Sequence, residues 1–417
     1  MSTSRYNFFS IASFILLLVN YKFLYLFKLP GSYGERSNEI LFVLVTVCMF
    51  LVFIYSKNRK TLNLNFQYTK YLFLIYIIVF IEMLFTMIKY TGEPSTSAFI
   101  ETCPYLALLS YYIFSSSCQL NYSSFLKQLM FFSTIASTFA IVEYFLYLYN
   151  GISLFKFFGF NYGQVTSVSQ NAIIDLSRNG QTRLIGSDLI DFSSVIPISL
   201  ILNNKKNVNI SKIYAWINLL LIYSYELFIS KTRSVFVFTL MTFLLLFILK
   251  ISFISNGLKK VAMFIITILF SLFLFIKLKI EYINHLDYSY YHRVDEAAYY
   301  IEVFKNNFLF GNGLLKDVPN LLEDYERIHG FNSFASNSYN DIGIIGQMGK
   351  FGILGMLISL YFPFKTYSIL KEKKKKLILA ILVMSTFSLF NLSLVDAERL
   401  PVLAIYMALV DGAVRSK

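Results

Sequence analysis

Apolar residues along this chain come in long runs, interrupted by short polar connections. The runs fall at about twelve places: 8–29, 39–56, 70–90, 99–115, 125–149, 189–203, 213–230, 233–250, 261–278, 343–364, 377–395 and 400–414. Each holds roughly 16–24 residues, the length a helix needs to cross a bilayer core. The pattern predicts an all-α polytopic membrane protein with about twelve transmembrane helices and one large outer loop. Residues 1–417 then form a single integral membrane domain. The first run follows a very short polar start and has no small-residue cleavage site behind it, so it reads as a retained helix rather than a signal peptide.

Charge orients the runs. Lysines crowd one set of connections, from Lys57 to Lys60, Lys205 to Lys212, Lys250 to Lys260 and Lys365 to Lys376. The positive-inside bias assigns these to the cytoplasm, and alternation then puts both termini there. Two long connections fall outside: a shorter outer loop at about 150–188 and a large outer loop at about 279–342.

Composition agrees with the pattern. The chain is 56% hydrophobic and 15% charged, with mean hydropathy +0.59, where a soluble domain carries about 25% charged residues. A net charge of +13 would suggest a nucleic-acid partner in a soluble chain. Here the lysines serve as cytoplasmic anchors, so the lipid bilayer is the expected partner and nucleic acid is not. Cys48, Cys103 and Cys118 lie in or beside apolar runs and make no disulfide framework.

Arginine departs from that pattern. Of ten arginines, seven fall on the outer side: Arg36, Arg178, Arg183, Arg233, Arg293, Arg327 and Arg399. A guanidinium grips phosphate with two parallel bonds, which an ammonium cannot do. The alternative for any one of them is pairing with an outer carboxylate. Lys231 and Arg233 share a turn of very few residues between two apolar runs, a costly place for two cations unless they snorkel to the interface.

The polar residues concentrate in 285–350, which holds all three histidines, His285, His292 and His329. Gly343, Gly346, Gly349, Gly352 and Gly355 recur every third residue, which on a helix gives a smooth stripe for close packing. Lys350 lies inside that stripe, so its first turns read as interfacial. Glu82, Glu143 and Glu226 lie inside apolar runs and are the sequence features that favour a transporter; Glu226 could also pair with Lys231. His285 and His292 lack a third ligand at zinc-like spacing, and Gly311-x-Gly313 lacks the strand–turn–helix context of a dinucleotide site.

The stretches RLIGSDLIDFSSVIPISL, TRSVFVFTLMTFLL, HRVDEAAYYIEVFKNNFLFGNGL and SNSYNDIGIIGQMGKFGILG resemble the O-antigen polymerase and ligase superfamily over roughly residues 180–365. The resemblance implies an all-helical bundle in the bacterial cytoplasmic membrane. Its substrate would be an undecaprenyl-diphosphate-linked oligosaccharide, with no metal or other cofactor. It also makes a chain-length regulator a candidate partner protein. Carried over, Arg233 and Arg293 are the arginines at the diphosphate, and Arg183 is a third cation. The ligase branch has His-Asn where this chain has Ser336-Asn337. That departure points to a Wzy-type repeat-unit polymerase, building O-antigen, capsule or exopolysaccharide, rather than a ligase.

The chemistry of that reaction fits the residues. Breaking a sugar–diphosphate bond builds negative charge that fixed arginines stabilise. The acceptor hydroxyl needs a base, for which Asp295, Glu296, Glu302, Asp341 and the histidines are candidates; either Asp295 or Glu296 could instead orient Arg293. Lys231, His292, Asn337 and Tyr339 complete the expected substrate-binding set. Tyr290, Tyr291, Tyr299 and Tyr300 also offer flat faces for sugars, although most aromatics in such a chain mark the membrane interface.

Overall fold

The helix Thr69–Lys89 has its apolar residues on the wrong side for a protein in water. Phe73, Ile77, Phe80, Ile81, Leu84 and Ile88 recur at helical spacing on the exposed face, with Phe73 66% and Ile88 75% exposed. The buried face carries Tyr71, Glu82 and Thr86 among its apolar residues. An outward apolar stripe of that size is one that lipid covers. Among the described residues this helix, Tyr122–Asn150 and Ile344–Lys373 are long and apolar enough to cross a membrane, which marks the chain as a membrane protein.

The computed structural model describes residues 3–21, 37–55, 64–89, 95–150, 174–178, 181–184, 187–203, 210–230, 233–250, 288–314 and 342–416. The run at 261–278 and much of the connections 150–188 and 279–342 lie outside them. In chain order the helices are α1 (Thr3–Asn20), α2 (Ser37–Tyr55), α3 (Thr69–Lys89), α4 (Ser95–Thr102), α5 (Ser110–Leu120) and α6 (Tyr122–Asn150). After them come α7 (Asp188–Phe192), α8 (Val195–Leu202), α9 (Lys212–Ser224), α10 (Arg233–Lys250) and α11 (Tyr288–Asn306). The last three are α12 (Ile344–Lys373), α13 (Lys376–Phe387) and α14 (Leu400–Arg415). The described chain is otherwise extended only in an antiparallel hairpin, β1 (Ile174–Arg178) with β2 (Gln181–Leu184), which sets Asp175 opposite Arg183.

Several apolar runs are less uniform than their hydropathy. The run 99–115 holds a 3₁₀ segment, Cys103–Leu109, which Pro104 opens. The run 189–203 breaks between α7 and α8, and 377–395 stays helical only to Phe387. In the other direction, α12 continues to Lys373, so most of the connection expected at 365–376 is helix. Ser187 and Ser211 start α7 and α9 by accepting from the backbone N–H of Leu189 (3.3 Å) and Tyr214 (3.0 Å).

The bundle closes around α14, which is buried from Leu400 to Ala413. Ala404, Ala408 and Gly412 recur every fourth residue, the small-residue spacing that lets helix backbones approach. Helix α5 packs along α14, and a Cβ on Gly412 would strike Cys118 of α5.

Hydrogen bonds gather at opposite ends of α14. Beyond its C-terminus, Lys375 Nζ donates to Ser416 O (2.7 Å) and Lys376 Nζ to Leu202 O. Gln119 bridges Asn65 nearby, accepting from its N–H (3.0 Å) and donating to its carbonyl (2.8 Å). Before its N-terminus, Arg399 pairs with Asp188, and Asn391 Nδ2 donates to Ser234 Oγ (2.8 Å). The backbone of Arg233, which opens α10, is therefore at the Arg399 end.

Helix α12 is interrupted at Gly352, whose backbone sits at φ 59°, ψ −143°. The carbonyls of Gly349 and Lys350 accept from the N–H groups of Asn312 (2.8 Å) and Gly313 (2.9 Å), and Ile353 N donates to Phe308 O (2.8 Å). Leu314 N donates to Thr86 Oγ1 (2.8 Å) on α3. The segment Asn307–Leu314 is thus laid into the break, and a side chain at Gly352 would collide with the Leu309 backbone. The glycine repeat predicts an uninterrupted packing stripe. Gly349 does admit the Tyr300 ring, but Gly343 takes positive φ just before α12 begins and Gly352 takes it inside, where it breaks the helix.

Candidate functional site

Among the buried polar clusters of the described residues, the two at the ends of α14 differ in how fully their hydrogen-bonding capacity is used. At the lysine-bearing end, Asp411 Oδ2 accepts from Tyr111 OH (2.7 Å) and Ser115 Oγ (2.6 Å), and its Oδ1 from Gln67 N (3.3 Å). Tyr68 N in turn donates to Tyr111 OH (3.1 Å). That carboxylate is saturated, as a structural clamp should be.

The Arg399 end is different. Gln347 Nε2 on α12 donates to Asp396 Oδ1 (2.8 Å), Arg399 Nη1 donates to Asp396 Oδ2 (2.9 Å), and Arg399 Nε lies 2.9 Å from Asp188 Oδ2. Asp188 and Arg399 are also the charges that face Asp191, one turn along α7. Asp191 in turn faces Glu226, whose Oε2 accepts from Thr239 Oγ1 (2.8 Å). Asp191 Oδ1, Glu226 Oε1 and Gln347 Oε1 are buried with no hydrogen-bond partner. Buried acceptors left open are rare and mark places where another group belongs.

Irregular backbone assembles this cluster. Glu226 sits in a π-helical turn, Tyr225–Ile229, which rotates it inward. Such turns recur at functional positions. Asp396 and Arg399 follow a stretch in which Leu392 takes φ 58°, and α12 contributes Gln347 from the half-helix before Gly352. The strand β2, which carries Arg183, packs on that π turn, and α7 packs on α10, which Arg233 opens. Arg183 and Arg233 thus belong to neighbouring backbone segments at this end. Among the described side chains of this cluster, Arg399 is the arginine, 4% exposed and held between Asp188 and Asp396.

The main-loop candidates divide. Arg293 lies on α11 and is partly exposed, while Glu296, three residues on, is 5% exposed and faces the packed side. Tyr299 and Tyr300 are not sugar platforms: both are buried with Val303 against Ile342, and Asn312 Nδ2 donates to Tyr299 OH (3.1 Å). The side chains of Arg183, Arg233, His292 and Asp295, and all of Lys231, Asn337 and Tyr339, lie outside the described residues. Glu82 and Glu143 are buried, and Lys89 and Lys350 are the charges that face Glu82. Lys350 is 3% exposed and so sits inside the bundle rather than at an interface.

Sequence reasoning did not select Asp188, Asp191, Gln347 or Asp396. The available signal was spacing: Asp188 and Asp191, like Asp396 and Arg399, are three apart at the start of an apolar run, which puts each pair on one helical face. Among the described residues no three His, Cys, Asp or Glu side chains are grouped to hold a metal ion. A small pocket of about 220 Å³ lies beside the bend after Phe387, lined by Tyr71, Ser359, Ser385, Ser388 and Ser393. Only about 10 Å³ of it is open to a water-sized sphere, far below the roughly 300–1,000 Å³ of a ligand site, and Val395 in its wall precedes Asp396 of the carboxylate cluster. No family model and no curated protein sequence matches the chain.

Proposed function

We propose that the chain is a metal-independent polysaccharide polymerase, joining undecaprenyl-diphosphate-linked oligosaccharide units at the outer face of the bacterial cytoplasmic membrane. In this reading it crosses the membrane about twelve times, with both termini in the cytoplasm. The observation that carries the reading is the Arg399 end of the bundle. There the β2 strand of Arg183 and the first residue of α10, Arg233, border a buried cluster with open acceptors.

The acceptor sugar's hydroxyl oxygen attacks the anomeric carbon of the donor glycan. The carbon–oxygen bond to the diphosphate breaks, and the diphosphate leaves with the electron pair. Arg233 and Arg293 hold the leaving diphosphate, with Arg183 and Lys231 as supporting cations. The hydroxyl proton passes to a carboxylate. Asp295 remains the candidate from the main loop, and Asp188 joins it because its side chain is 33% exposed at this end. Glu296, being buried, is better suited to orienting Arg293. His292, Asn337 and Tyr339 position the sugars.

Arg233→Ala or Arg293→Ala should reduce long polymer on a gel on the order of 10²–10³-fold, by loss of a fixed cation at the leaving group. The variant protein must be present at wild-type abundance. Undiminished long chains in both variants would remove the assignment.

Buried Glu82 and Glu143, with Lys350 inside the bundle, favour a second reading as a transporter of the same lipid-linked unit. Loss of a transporter strands units inside, whereas loss of a polymerase leaves single units displayed outside. A ligase is disfavoured by Ser336; its loss would leave long polymer made but untransferred.

A further inference from the structure

The lysine-bearing end gathers positive charge from three helices around the end of a fourth. Helix α8 ends at Leu202, α9 begins at Lys212, α10 ends at Lys250 and α13 begins at Lys376, and these helices pack on one another. Lys376 donates to the Leu202 carbonyl, which fixes its ammonium between the helix ends. Lys250 and Lys212 both face it. The connections 203–212, 250–261 and 365–376 are rich in lysine and contain one carboxylate, Glu372.

Such a cluster is costly by itself. Burial, and then Lys250 and Lys212, push the Lys376 ammonium below its ordinary value, so the folded chain resists carrying the charge it has assembled. The first turn of α13 adds to the positive field, because its N-cap residue, Lys375, makes no side-chain cap. An anion bound there would relieve that cost. The surface beside it indicates the source. Starting one residue after Lys212, α9 exposes Ile213, Trp216, Ile217 and Leu220 at helical spacing, an apolar track running from the cationic end along the bundle. Free phosphate has no use for that track, whereas acyl chains would lie along it with a headgroup at Lys212.

We infer that Lys212, Lys250 and Lys376 form a headgroup site for an anionic phospholipid, whose chains lie on the exposed face of α9. The site is at the opposite end from the proposed transfer chemistry. Its test measures no polymer, so its failure would leave that reading untouched.

The test uses the full chain purified in neutral detergent. Thermal unfolding is followed with added phosphatidylglycerol, with phosphatidylcholine of the same chains, or with inorganic phosphate. Phosphatidylglycerol should raise the midpoint by several degrees more than phosphatidylcholine, and inorganic phosphate should not reproduce the rise. Lys250→Gln/Lys376→Gln should lose most of the difference. Equal effects of the two lipids, a full response to inorganic phosphate, or an undiminished response in the double variant would each overturn the inference. If the double variant does not fold, Lys212→Gln serves, since Lys212 is exposed. Native mass spectrometry should then show about tenfold less retained phosphatidylglycerol, and unchanged retention would count against the site.

Discussion

At the scale of single residues, the informative contrast is between carboxylates that are saturated and those left open. Asp411 accepts three hydrogen bonds and ties α14 to α5 and to the segment before α3. Asp411→Ala should therefore cost on the order of 3 kcal/mol, read as a lowered unfolding midpoint, because it strands buried donors. Asp191→Asn and Glu226→Gln should behave oppositely. Each replaces a buried carboxyl that has an oxygen with no partner, so the midpoint should hold or rise while any activity of the site falls. A large stability loss in both would mean the cluster is only structural. Lys376 has its own signature. Its ammonium is depressed in the fold, so between that value and about 10.4 the unfolded chain binds more protons and stability rises with pH. Unfolding of Lys376→Gln measured across alkaline pH should show a flatter rise.

At the scale of elements, hydropathy finds the helices but not their interruptions. The runs at 70–90, 125–149 and 400–414 were legible because lipid and core both require apolar residues there. The π turn at Tyr225–Ile229, the 3₁₀ segment at Cys103–Leu109 and the break at Gly352 were not. Pro104 and Gly352 permit two of these departures and the π turn carries Glu226, but hydropathy averages such single residues away within an apolar run. The glycine repeat shows why pattern alone fails: the same residue type packs against Tyr300 at position 349 and reverses the backbone three residues later. Gly352→Ala should be severe, since it combines strain at positive φ, on the order of 1–3 kcal/mol, with collision against Leu309. Folded yield in detergent checks this. Near wild-type yield would mean α12 can close into a regular helix.

At the scale of the whole molecule, the two ends of α14 have different chemistry: arginine with open carboxylates at one, lysine with a saturated clamp at the other. The lysine asymmetry was legible because charge is read residue by residue from the sequence. The carboxylate cluster was not, because it joins residues from 188 to 399 that no local pattern links. Orientation can be measured with single cysteines introduced at Glu398 and Lys373, after Cys48, Cys103 and Cys118 are replaced by Ala. Both positions are exposed. An impermeant maleimide should label Glu398→Cys in intact cells and Lys373→Cys only after permeabilisation; labelling of both from one side would break the proposed topology. The segment laid into the α12 break carries a different consequence. Residues 308, 312, 313 and 314 each have an assigned partner on α12 or α3. Adding or deleting one residue between 306 and 314 would therefore misalign every bond at once. Here the chain has no tolerance for length change, and an insertion, inherited or engineered, must fall outside 306–314.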